Sequence, residues 1–260
     1  MTVKYTNHTQ SVSPSSAKDC FTRVKRHSDS IKISRVTTSR ELGKRLAYKG
    51  QQARWNGNIT LSRYYFRRAL AFDRRNELVM LHLCSIGVDL LPGQDVMTVL
   101  TQLSTTALDE TIRADAFTLL GNNMWGKDMG RALKYYEAGL KALNGKLSTP
   151  KAIRSAAFAL CGIGAAHLEF GNRDLARVKL LESIDLDDRI ATAHANLASC
   201  YLEIGNIYAS LKEIKVAITL ERKNELAIDL LIRIGKELGD ENVSDEVQRL
   251  EAQILESQTE

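Results

Sequence analysis

The chain has 260 residues, of which 44% are hydrophobic and 26% charged. That is the composition of a packed protein rather than a disordered one, long enough for one large domain or two small ones. Its three Pro and sixteen Gly exclude collagen-like and low-complexity chains, and no apolar run approaches the roughly 20 residues of a membrane-spanning helix. The net charge of +5 hides an asymmetry: residues 1–76 hold 17 Lys/Arg and 4 Asp/Glu, whereas residues 77–260 hold 19 and 27.

Residues 1–42, rich in Ser, Thr, Lys and Arg, read as a basic flexible tail with one short helix around Asp19 to His27. They contain no apolar stretch of a secretory or lipoprotein leader. From residue 43 onward, pairs of helices recur with a period near 34. Residues 43–76 carry Leu46, Gly50, Ala53, Gly57-Asn58, Phe66, Ala69-Leu70 and Phe72-Asp73, which reads as two helices around a Gly-Asn turn. On and just after the second of these helices stand Arg63, Arg67, Arg68, Arg74 and Arg75, beside Tyr64 and Tyr65. Arg63, Arg67 and Arg74 share one face at near-helical spacing. A basic face with aromatics suits RNA, an anionic membrane or an acidic protein partner; the alternative is a solvated helix surface.

Residues 77–113 are degenerate. Met80, Leu83 and Cys84 start a helix, Leu91-Pro92-Gly93 breaks it, and a second begins near Asp95. Residues 114–142 restore the pattern with Phe117, Leu120-Gly121, Ala132, Tyr136, Gly139-Leu140 and Ala142, one residue shorter at the turn. Residues 143–156 are an insertion. Within it, Ser148-Thr149-Pro150 supplies a cap followed by Pro at the first helical position, which predicts a long helix from Pro150 to Phe170. Residues 157–190 and 191–224 align with each other. Ile163-Gly164 matches Leu197-Ala198, His167 matches Tyr201, Gly171-Asn172 matches Gly205-Asn206, and Leu180 matches Ile214. Residues 225–258 are degenerate again, ending in an acidic helix from about Asp245 that reads as a polar cap.

Motifs of catalysis are not found. The five His stand apart from one another in sequence, and His167 and His194 occupy packing positions of the repeat. Gly162-Ile163-Gly164 lies inside a predicted helix, so it cannot make a phosphate-cradling turn. Cys20, Cys84, Cys161 and Cys200 form no CxxC pair, which fits free thiols in a cytoplasmic protein. Neither metal, cofactor nor enzymatic activity is expected.

The order of large, small, Tyr, Gly, Ala, aromatic and Ala positions over 34 residues resembles the tetratricopeptide repeat. Residues 191–224 match best, with Asn196-Leu197-Ala198, Tyr201, Gly205-Asn206 and Ala217, although Asp188 and Arg222 stand where the family closes with Pro. The resemblance implies an all-α, right-handed superhelix of about six helical hairpins over residues 43–258, with units near 43–76, 77–113, 114–142, 157–190, 191–224 and 225–258. It further implies a non-enzymatic adaptor that binds a peptide or helix of a partner protein on a concave face built by the first helix of each unit. The repeat phase then nominates Tyr48, Gln51, Trp55, Asn122, Trp125, Cys161, Ala165, Ala195, Asn196 and Ser199 for that groove. A carboxylate clamp of the cochaperone type is disfavoured, because Ala47 and Gln51 stand where Lys and Asn would be needed. Two other readings stay open: nucleic-acid or membrane binding through the basic end, and a bacterial pilus or secretion-assembly factor. The degenerate end units also leave self-association open.

Overall fold

The computed structural model describes residues 39–87, 95–237 and Leu250. The expected helix near Asp19, the break at Pro92 and the acidic helix from Asp245 fall outside these residues. Among the described residues there are eleven α-helices and no strand. They are α1 (Ser39–Trp55), α2 (Ile59–Phe72), α3 (Glu77–Ser85), α4 (Val96–Thr106), α5 (Glu110–Met124), α6 (Met129–Ala142), α7 (Pro150–Glu169), α8 (Arg173–Leu186), α9 (Ala191–Glu203), α10 (Ile207–Leu220) and α11 (Glu225–Glu237). The chain divides into two compact units, with the boundary between Leu103 and Ser104. The first helix starts at Ser39, so residues 39–42 are helical rather than part of a tail. Likewise α5 starts at Glu110, four residues before the position the repeat suggests.

Local chemistry sets the helix ends. Side chains of Asn58, Asn76, Asp109, Asp128, Thr149, Asn206 and Asn224 accept from backbone N–H groups in the first turns of α2, α3, α5, α6, α7, α10 and α11, satisfying donors that a helix start leaves open. The Gly-Asn turns share one geometry. At the end of α9 the Asn206 N–H reaches the Tyr201 carbonyl at 2.9 Å and the Gly205 N–H reaches Leu202 at 3.0 Å, with Gly205 at φ 79°. The end of α7 repeats this with Asn172 to His167 at 2.8 Å and Gly171 to Leu168 at 2.9 Å. This double closure needs a left-handed residue, which glycine adopts without steric cost. Gly205→Ala should therefore lower stability by about 1 kcal/mol, read as a shift of the urea midpoint with an unchanged slope.

Packing follows a small-against-large rule. A methyl group built on Gly50 of α1 would come within 2.7 Å of the Phe66 ring of α2, and one on Gly164 of α7 within 2.6 Å of Leu180 of α8. The missing side chain is what lets each pair of helices close. In the second unit, α6 packs on both α5 and α7, α8 on α7 and α9, and α10 on α9 and α11. The first helices of successive hairpins also touch one another, α5 on α7, α7 on α9 and α9 on α11. Ala157, Cys161, Leu180, Ala193, Leu197 and Cys200 form the buried cluster that joins α7, α8 and α9. Ala195, Ala198, Ile214, Ala227, Leu231 and Ile234 form the next, joining α9, α10 and α11. Leu250 belongs to this second cluster as well.

Candidate functional site

In the second unit the first helices α5, α7 and α9 lie side by side, and their remaining open surface is the candidate groove. The structure separates the nominated residues into two groups. Asn122 is exposed and Ser199 half-buried. Asn122 Oδ1 accepts from the Tyr136 hydroxyl at 2.8 Å, which fixes its orientation. Trp125 is half-buried against the cluster of Ala132, Tyr136 and Ile163. By contrast Cys161, Ala165, Ala195 and Asn196 are buried. Ala195 is 0% exposed and belongs to the cluster that joins α9 to α11. Asn196 donates its Nδ2 to Cys161 Sγ at 3.8 Å, so these two side chains meet each other across α7 and α9.

The reason is geometric. Once small residues let adjacent helices touch, their Cβ atoms lie in the helix–helix seam. The more exposed positions are then their neighbours on the same helices. On α7 these are Arg154 and Phe158, where the guanidinium carbon lies 5.6 Å from the ring centroid, a cation–π contact. The spacing of four residues between an Arg and an aromatic is the sequence signal for that pair. Arg154 also lies 3.7 Å from Asp187. Asp187 accepts from Arg189 at 2.8 Å, and this guanidinium holds its carboxyl below the usual range. On α9 the half-buried positions are Thr192, Ser199, Tyr201 and Leu202. Asp115, on α5, has its carboxyl raised by burial.

Among the described residues three thiols are buried. Burial pushes Cys84 and Cys161 up to about 12 and Cys200 up to about 11, so none is a thiolate near neutral pH. Among the described residues no cluster of three or more His, Cys, Asp or Glu could hold a metal ion, and no helix is long and apolar enough to cross a membrane.

The first unit carries the remaining nominated residues. Tyr48, Gln51 and Trp55 are all exposed on α1. Gln51 Nε2 lies 3.0 Å from His82 Nε2, and Arg54 donates to Ser85 Oγ at 2.8 Å, so side chains of α1 and α3 interlock. His82 in turn stacks on Phe66 with centroids 5.2 Å apart. The basic patch spreads rather than converging. Arg63 and Arg67 are exposed on α2, and Arg68 donates to the Tyr64 hydroxyl at 3.0 Å. Arg74 and Arg75 lie in the turn after α2.

The hairpins of the second unit, in which each second helix packs on its own partner and on the next first helix, have the tetratricopeptide-repeat fold. The sequence matches no family model and no curated protein. Among solved structures, the tetratricopeptide-repeat protein TTC0263 of Thermus thermophilus aligns with 75% of this chain and 97% of its own, at 20% identity and a TM-score of 0.50. PilW, a type IV pilus biogenesis factor, aligns with 82% of this chain and 92% of its own, at 18% identity and a TM-score of 0.57. At these identities the likeness is one of fold.

Proposed function

We propose that the chain is a non-enzymatic adaptor that holds a peptide or helix of a partner protein against the first-helix face of its second unit. The observation that supports this most directly is the contact of α5 with α7 and of α7 with α9. On this reading that contact brings together Asn122 and Ser199 as hydrogen-bonding groups, Phe158 and Leu202 as apolar contacts, and Arg154 as a cation, none of them fully buried. Such a surface matches a partner segment bearing an apolar residue and a carboxylate.

The seam position Ala195 is a poor place to test the groove, because an Arg there would have to enter a buried cluster. Ser199→Arg projects its bulk from a half-buried site instead. Expressed as bait in cells of the source organism, the wild-type chain should retain a specific protein that Ser199→Arg loses by a factor of about ten or more. Tyr208→Arg, at an exposed position on α10, should retain it. A partner held equally by Ser199→Arg and wild type refutes the groove reading.

A further inference from the structure

Tyr48 and Trp55 stand two turns apart on α1, about 10 Å along the axis at 1.5 Å per residue, and remain 61% and 89% exposed. Burial of Gly43, Leu46, Ala47, Gly50 and Ala53 puts the core on the opposite side of the helix. The neighbours of the two rings are polar or charged: Lys44, Arg45 and Gln52 are all exposed. The helix is braced, since Gln51 and Arg54 bond to His82 and Ser85 of α3. Residues 39–87 carry ten Lys/Arg against three Asp/Glu, and one of those carboxylates, Glu41, already lies 3.7 Å from Lys44.

We propose that this face of α1 binds single-stranded nucleic acid, with bases stacked on Tyr48 and Trp55 and phosphates attracted by Lys44, Arg45 and the cationic surface of the unit. Flat rings on a rigid cationic support are what a single strand needs, because every base offers a π-face and every linkage a negative charge. A lipid surface would call for a continuous aliphatic patch around the rings, and here the exposed side chains between them on this face are Gln51 and Gln52. An acidic peptide would meet the charge but offer the rings no flat partner. This site lies wholly in the first unit and is independent of the groove reading.

The test uses the full chain, which has two Trp. With Trp125→Phe, Trp55 becomes the sole indole. Titrating oligo(dT) or oligo(U) of about 20 nucleotides should quench its emission, and affinity should fall steeply with added salt. By anisotropy of a labelled oligonucleotide, Trp55→Ala and Tyr48→Ala should each weaken binding about 5- to 100-fold. Leu108→Ala, at another highly exposed position, should leave it unchanged. The anisotropy comparison against wild type decides the matter even if Trp125→Phe folds poorly. Affinity of Trp55→Ala within twofold of wild type overturns the proposal. So does a blue shift on phosphatidylserine vesicles without any response to oligonucleotide, which would make this a membrane face. A response to poly-glutamate that matches or exceeds that to oligonucleotide overturns it in favour of an acidic peptide.

Discussion

Tyr136→Ala is expected to cost about 4 kcal/mol of stability, the range for deleting a fully buried aromatic, and to reverse the effect of a second substitution. The Tyr136 ring is 2% exposed. A methyl group on Gly121 of α5 would come within 2.5 Å of it and one on Gly162 of α7 within 2.6 Å, in both cases at the Cδ1–Cε1 edge. Two helices thus close on one ring, which is also held by its hydrogen bond to Asn122. In the wild-type chain Gly162→Ala gains about 1 kcal/mol of helix propensity but forces the ring against its surroundings, an overpacking cost of about 1–3 kcal/mol; the net effect is destabilising. With Tyr136→Ala already in place the clash is gone, and Gly162→Ala should become neutral or stabilising. Urea unfolding of the four chains measures this cycle. If Gly162→Ala costs the same in both backgrounds, the ring is not what requires glycine there.

The second large effect is a pH dependence centred on His194. Its Nδ1 lies 2.6 Å from Glu213 Oε2 and its Nε2 2.9 Å from the Asp188 carbonyl, so the imidazole ties α9 to α10 and to the turn that precedes α9. Both partners are acceptors when Glu213 is ionised, and only the imidazolium can donate to both. Burial by itself would lower the imidazole; the Glu213 carboxylate and the Asp188 carbonyl outweigh it, and the net direction is upward from 6.5. In the unfolded chain the group returns to its ordinary value. The staple is therefore fully stabilising below about 6.5 and is lost as pH rises through the higher folded value. Nearby Asp187 is held low by Arg189 and titrates below this window. His194→Ala should cost about 2–3 kcal/mol near pH 6, in line with removing one member of a largely buried pair, and less at pH 9. Glu213→Gln should flatten the decline between those values. Parallel stability curves for wild type and Glu213→Gln from pH 5.5 to 9 would dismiss the staple.

The hairpins were legible because their signals are local. Gly57-Asn58, Gly171-Asn172 and Gly205-Asn206 mark turns, Thr149-Pro150 marks the start of α7, and Gly50, Gly121, Gly164 and Ala198 mark close helix contacts. The site was less legible, because groove exposure depends on how far neighbouring helices approach. Cys161, Ala195 and Asn196 have the repeat phase of groove residues, yet helices as small-sided as α7 and α9 approach until those side chains are enclosed. His194 shows the same limit. Its packing position is readable from the repeat, but Glu213, 19 residues away, becomes its partner only through the crossing of α9 and α10. The division at Leu103–Ser104 falls within α4, where no change in composition announces it.

The enclosed thiols give the molecule an internal clock. Cys161 sits in the seam between α7 and α9, and Cys200 of α9 donates to the Arg173 carbonyl at the start of α8, with their protons held well above neutral pH, so an alkylating reagent can modify Cys161 only after the α7–α9 seam parts. Under native conditions the labelling rate of Cys161 would report how often the array unzips at this joint, with no probe added. Any ligand that clasps both sides of the joint would slow the reaction in proportion to its grip, which makes iodoacetamide half-life a direct screen for occupants of the second unit.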